Sequence, residues 1–237
     1  MTGFSGKKAL VLGGSRGIGA AIVRRFAAGG ASVTFTFAGS RVAADELAAA
    51  TGSTAVQADS ADRDSVIGVV KQSGALDILV INAGVYEGGD PLEFDPDTID
   101  RLIRINVNAP YHAAVEAGRQ MGEGGRIIVI GSTNGDRVPA AGAAAYAMSK
   151  SAVQGMARGL ARDFGSRGIT VNVVQPGPVD TDMNPADGPY REAMHSFLAI
   201  KRHGRPEEIA AMVAYLAGPD ASFITGAMHT IDGGFGA

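Results

Sequence analysis

The chain has no cysteine among its 237 residues. That excludes a disulfide, a thiolate nucleophile and a zinc–thiolate centre, and no metal site is expected. No apolar run approaches the ~20 residues that a membrane-crossing helix needs. The opening residues, Met1-Thr2-Gly3-Phe4-Ser5-Gly6-Lys7-Lys8, carry no apolar signal-peptide core. A cytoplasmic location and no membrane partner are therefore expected. Basic residues form no block or stripe, and the net charge is only -3, so nothing calls for a nucleic-acid polymer. Linkers, repeats and low-complexity segments are also missing: the 34 glycines are scattered at turns. The chain reads as one domain over 1–237.

What is present is an alternation of short apolar runs with amphipathic segments. Strands are expected at 9–12, 32–37, 53–57, 76–81, 126–130, 170–174 and 228–231, and helices at 17–28, 42–50, 63–72, 96–105, 109–121, 144–167 and 206–216. Strand–helix–strand order of this kind reads as βαβ units. The fold class is α/β: a doubly wound Rossmann fold of about seven parallel strands flanked by helices.

After the first strand comes Gly13-Gly14-Ser15-Arg16-Gly17-Ile18-Gly19. Glycines there let the chain turn sharply and let a pyrophosphate approach the N–H groups that open the next helix. The spacing is looser than G-x-G-x-x-G, but its place between a first strand and a first helix points to a dinucleotide. The end of the second strand, Phe37-Ala38-Gly39-Ser40-Arg41, lacks the carboxylate that NAD sites use for the ribose 2′-OH. Ser40, Arg41 and Arg16 instead suit a 2′-phosphate, so NADP(H) is the expected cofactor. Asp59, beside Ser60, follows the third strand and either accepts from an adenine amine or caps the next helix. Asn82-Ala83-Gly84 follows the fourth strand, where small residues admit a ribose. Asn106 lies near a helix end and either holds a water or caps that helix. Pro176-Gly177-Pro178-Val179-Asp180-Thr181 leaves the sixth strand, short of two backbone donors.

Tyr146 and Lys150 stand four apart, one turn from each other on a helix. A phenol titrates near ~10, and an adjacent ammonium draws it toward neutrality, so this turn can hold an acid–base group with the charge that tunes it. Ser132 ends the buried run Arg126-Ile127-Ile128-Val129-Ile130, where open α/β sheets meet their ligands.

The ordered set Gly13…Gly17-Ile18-Gly19, Asn82-Ala83-Gly84, Asn106, Ser132, Tyr146-x-x-x-Lys150, Pro176-Gly177 and Thr225-Gly226…Asp232-Gly233-Gly234 resembles the short-chain dehydrogenase/reductase family over the full length. Within that family it is similar to the 3-oxoacyl-carrier-protein-reductase-like branch. The resemblance implies that Tyr146 gives a proton to a carbonyl polarised by Ser132. It implies that Lys150 holds the nicotinamide ribose and lowers the tyrosine pKa, and that Asn106 binds a relay water. Val179 and Thr181 then lie near the carboxamide, and the assembly is a homotetramer or homodimer. Two positions depart from the usual pattern: Leu12 stands for a threonine, and Ile81-Asn82 for paired asparagines. Thr133 would restore the commoner interval to Tyr146, but Gly135, three residues after Ser132, fits the pattern better, and Ser132 is retained.

The substrate pocket is expected from a long connection at 183–205, with 190–198 as a helix. Lys201-Arg202-His203 and Arg205 close it. Facing the cleft they would attract an anion, such as a phosphopantetheine arm or a cyclic dinucleotide like cyclic-di-GMP. Facing solvent, the usual fate of a charge run, they merely flank the helix start at Pro206. Two functions follow: an NADP(H)-dependent enzyme interconverting a small-molecule carbonyl and alcohol, or a nucleotide-binding sensor on the same fold. Ala145, Met148, Ala152, Val153, Met156 and Leu160 spread over more than one helix face, which predicts a subunit contact.

Overall fold

The computed structural model describes residues 3–237; Met1 and Thr2, part of the stretch read for a leader, lie outside the described residues. Seven strands form one parallel sheet: β1 Lys8–Leu12, β2 Ser32–Phe37, β3 Thr54–Gln57, β4 Ile78–Ile81, β5 Arg126–Ile130, β6 Thr170–Pro176 and β7 Met228–Ile231. Their order is β3-β2-β1-β4-β5-β6-β7. The direction of winding reverses between β1 and β4, and ligands of such sheets sit outside the strand carboxyl ends at that switch. The sequence-derived fold class holds.

Helices α1 Gly17–Ala28, α2 Arg41–Thr51 and α8 Pro206–Ala217 lie over one face, while α3 Arg63–Ser73, α5 Ala109–Gln120 and α6 Ala144–Phe164 lie over the other. β1 shows why its run reads as continuously apolar. Ala9 and Val11 enter the core under α1 and α8; Leu10 and Leu12 enter the core under α3, α5 and α6. A strand buried on both faces has no polar side to alternate with.

Several boundaries shift by one to three residues, α6 ending at Phe164 rather than 167, and three differences have a visible cause. The strand read at 76–81 begins at Ile78, because Asp77 is spent on Lys7 and the Lys8 amide. β6 runs on through Pro176, whose carbonyl still accepts from Thr133. The helices read as 96–105 and 109–121 are one rod. α4 Pro96–Ile103 passes through a π-helical turn, Arg104–Asn108, into α5 without a break. Hydrogen bonds there reach five residues back, as from Ala109 to Arg104, a distortion that leaves no trace in hydrophobic period. Helix α7, Arg191–Phe197, lies within the connection between β6 and α8. Among the described residues no helix is long and apolar enough to cross a membrane.

Candidate active site

The glycine loop sits at the switch point and is built for close approach. A Cβ on Gly13 would stand 2.7 Å from the Ala83 backbone, and one on Gly19 would stand 2.1 Å from the Gly13 carbonyl. The loop is pinned from β2 and from the end of β4. Thr36 Oγ1 accepts from the Gly13 amide at 2.9 Å, Asn82 Nδ2 donates to the Gly13 carbonyl at 2.6 Å, and the Gly14 amide donates to Thr36 O. Buried Thr36 thus steadies the loop where the usual threonine is replaced by Leu12, and the single Asn82 does so although Ile81 offers no amide.

Arg16 precedes α1 at its N-cap, and helix N-termini favour anions. Its guanidinium meets Asp182 at 3.1 Å. Ser40 caps α2 with a hydroxyl that makes no capping bond. Arg41 lies over the Phe37 ring at 5.2 Å and donates to Gln57 Oε1, while Gln57 also donates to the Ala38 carbonyl. Gln57 is a residue that sequence reasoning missed; it gave no signal beyond ending β3. Asp59 is not the cap of α3. Asp62 takes that role through the Asp64 amide, and Asp59 accepts from Ala61, with Ser60 half-buried between them. Thr181 comes within 3.1 Å of the position a Gly17 Cβ would take, so the turn after β6 faces the start of α1. Val179 is buried and pairs with Gly204, tying that turn to the segment before α8. Gly177 packs on Asp232. The residues present fit a dinucleotide carrying a 2′-phosphate: a loop open to pyrophosphate, and a free hydroxyl beside Arg41 with no carboxylate after β2.

The Asn106 side chain is not a helix cap; it is bonded to the segment that follows β4. It donates to Val85 O at 2.8 Å, accepts from Val85 N at 2.9 Å and donates to Ser149 Oγ at 3.1 Å. The π-helical turn carries it inward, where it pins the segment that follows Ala83 and Gly84.

Ser132 opens a 3₁₀ turn, and its hydroxyl accepts from the Asn134 amide. Thr133 is turned away, bonded to Pro176 O and Asp232, which leaves Ser132 as the hydroxyl facing Tyr146. The turn rests on a hydrogen-bonded ring, with both glutamines buried and Asp136 at its exposed edge, that sequence reasoning missed. Gln154 donates to Asp136 and Gln175, and Gln175 donates back to Asp136. Gln154 lies one turn beyond Lys150 on α6, so an amide on an otherwise apolar helix face was the available signal.

Burial pushes the Tyr146 phenol up to about 12, against the lowering effect of the Ser132 hydrogen bond and with Tyr86 adding to the rise. Part of the ring is open to the cleft, but the hydroxyl sits deep among protein atoms. The expectation that Lys150 lowers this value is not met in the free protein. The Lys150 ammonium is buried too, lies 5.6 Å from the ring centroid and donates to the Ile130 carbonyl at 3.1 Å. Its own desolvation brings it down to about 8. The ammonium is bonded to the Ile130 carbonyl rather than to the phenol, and it does not offset the burial of the hydroxyl.

This has a measurable consequence. Between about pH 8 and 10.5 the unfolded lysine holds a proton that the folded one has lost, so stability rises with pH in that window. Tyr146 acts oppositely above pH 10, where only the unfolded phenol ionises. Between pH 7 and 10 the wild type is expected to gain about 2–3 kcal/mol relative to Lys150→Met. Urea melts at both pH values check this; parallel pH profiles would refute it.

A model described as enoyl-(acyl carrier protein) reductase matches residues 13–236. The chain belongs to the short-chain dehydrogenase/reductase family. It is 71% identical, over all of both chains, to the cyclic-di-GMP-binding biofilm dispersal mediator protein of Escherichia coli (strain K12). It is 38% identical to the 3-oxoacyl-[acyl-carrier-protein] reductase MabA of Mycobacterium tuberculosis (strain ATCC 25618 / H37Rv), over 98% of this chain and 94% of that one. The crystal structure of BdcA in complex with NADPH superposes with a TM-score of 0.98 at 71% identity, over 99% of this chain and 96% of that chain.

Proposed function

We propose that the protein is an NADP(H)-dependent oxidoreductase that interconverts a carbonyl and an alcohol. The observation that carries this is the junction of Ser132, Tyr146 and Lys150 beside a glycine loop with no carboxylate after β2. The nicotinamide, when bound, supplies or accepts the hydride at the substrate carbon. Tyr146, protonated throughout the neutral range, gives its proton to the carbonyl oxygen, and Ser132 donates a hydrogen bond to the same oxygen. Lys150, 5.6 Å from the Tyr146 ring centroid, would hold the nicotinamide ribose and place its positive charge beside the phenol. Asn106 keeps Val85 and the Asn82-Ala83-Gly84 wall in place. A relay water would take the remaining lone pair of Asn106 Oδ1 or a main-chain carbonyl of the π-helical turn. Pro176, Gly177, Val179 and Thr181 would border the carboxamide. NADPH oxidation with a panel of ketones, aldehydes and β-ketoacyl thioesters tests the reading; no turnover with any of them, despite NADPH binding, would refute it.

Similarity to the Escherichia coli mediator favours a second reading, a cyclic-di-GMP sensor. The basic cluster lends it little support. Arg202 and Arg205 both engage Glu208, Lys201 is held by the His195 and Ser196 carbonyls, and His203 is buried against His195 at 2.9 Å. Burial, with His195 beside it, holds His203 below the usual histidine range. Saturable heat on titrating cyclic-di-GMP at tens of micromolar would establish the sensor reading.

We expect a homotetramer, or else a homodimer. Val153 and Leu160 enter the core, whereas Met148 and Ala152 stay exposed, beside Tyr111 of α5. One apolar stripe of α6 thus covers the sheet and another is left open. Light scattering at micromolar concentration should give a multiple of 24.1 kDa, and Met148→Glu should shift the mass downward. A monomeric wild type would refute the contact.

A further inference from the structure

We infer that the substrate is a neutral carbonyl compound bearing an aromatic or branched apolar group, and that this site disfavours anionic, carrier-linked or phosphorylated substrates. This rests on the oxidoreductase reading and adds the substrate class. The wall beside the candidate proton donor is aromatic: the Tyr86 ring meets the Tyr146 ring edge-on, with centroids 5.0 Å apart, and is half open. The segment that carries Tyr86 continues past a 360 Å³ cleft at the start of α6, walled by Phe94, Ile99 and Ala145, with Asp100 its only charged residue. Clefts of that size hold small, largely apolar molecules. On the opposite side, α7 presents half-exposed Phe197, whose ring lies 5.9 Å from Phe235 near the chain end.

The charges point the same way. From Tyr86 to Asp100 the chain has Glu87, Asp90, Glu93, Asp95, Asp97 and Asp100, and no lysine or arginine. None of the six is in an ion pair among the described residues, and five of them are exposed, on the segment that follows Tyr86. Arg101 and Arg104, both exposed, are the next cations along the chain, so 86–104 carries six carboxylates against two guanidiniums, and other cations are partly engaged. Arg16 pairs with Asp182, Arg202 and Arg205 with Glu208, and Arg137 donates to the Gly236 and Ala237 carbonyls. Lys201 closes the end of α7. α7 itself carries Arg191, followed by Glu192, and His195, which is bonded to His203. An acidic rim repels an incoming phosphate or carboxylate within a Debye length, and a cofactor bearing phosphates adds to the effect.

Two matched pairs test this: acetophenone against 4-acetylbenzoate, and a β-ketoacyl thioester of N-acetylcysteamine against the same acyl group on coenzyme A. We expect kcat/KM for each neutral member to exceed that of its anionic partner by about tenfold or more, two pairs of rim charges at short range being sufficient. The gap should narrow in high salt and in the double variant Glu87→Gln/Asp90→Asn. Tyr86→Leu should raise KM for acetophenone more than for a small aliphatic ketone. Equal or better turnover of the anionic members overturns the inference and leaves the oxidoreductase reading intact. A gap unmoved by salt and by the double variant also overturns it, since charge would not be its cause. If no carbonyl in either pair or in the wider panel is reduced, the oxidoreductase reading itself fails and takes this inference with it.

Discussion

Tyr146→Phe is expected to lower kcat by about 10²–10⁴, the range over which a positioned proton donor contributes, and to leave NADPH affinity unchanged. Only the phenolic oxygen is removed. The ring keeps its edge-on contact with Tyr86, and Lys150 keeps its bond to the Ile130 carbonyl. The fold should not suffer, because the hydroxyl is desolvated and its one close partner, Ser132, retains the Asn134 amide. Steady-state rates with any substrate found, together with a fluorescence titration of NADPH, separate the two effects. Wild-type turnover in the variant would show that the proton comes from elsewhere. Lost NADPH binding would assign Tyr146 to cofactor recognition instead.

NADPH is expected to bind at least tenfold more tightly than NADH, and Arg41→Ala should remove most of that preference without weakening NADH. A charge-assisted contact to the 2′-phosphate contributes about 1.5–3 kcal/mol, roughly ten- to a hundredfold in affinity. Three groups are placed for it. The Ser40 hydroxyl makes no capping bond, Arg41 is pre-oriented by Phe37 and Gln57, and Arg16 opens α1. The Arg16–Asp182 pair competes only weakly, since both side chains are exposed, at 60% and 70%, and exposed pairs contribute about 0–1 kcal/mol. Asp182→Asn should therefore improve NADPH binding slightly and leave NADH alone. Equal dissociation constants for the two cofactors would refute the 2′-phosphate assignment.

Most of the framework was legible along the chain because it rests on local pattern. β2, β5 and β7 have the bounds that their apolar runs indicate, and α1 starts at Gly17, where the loop ends. Glycines at 13, 17 and 19 carry their own steric meaning, and the Tyr146–Lys150 spacing places both on one helical turn. The missing acid after Phe37 was equally plain. All these features are set by neighbours within a turn or a strand.

What the sequence could not decide depends on partners far along the chain. That Asn106 holds a loop depends on Val85 and Ser149, 21 and 43 residues away. Asp136, Gln154 and Gln175 read as unrelated polar residues until the fold closes them into the ring beneath Ser132. Whether Lys201–Arg205 faces the cleft or solvent was open along the chain; Glu208 engages both arginines, the carbonyls that end α7 hold Lys201, and His203 goes inside. The proton affinity of Tyr146 was misjudged for the same reason. Spacing fixes how near Lys150 can come, but burial of both groups fixes what the charge can do, and burial belongs to the assembled sheet and helices rather than to any one turn.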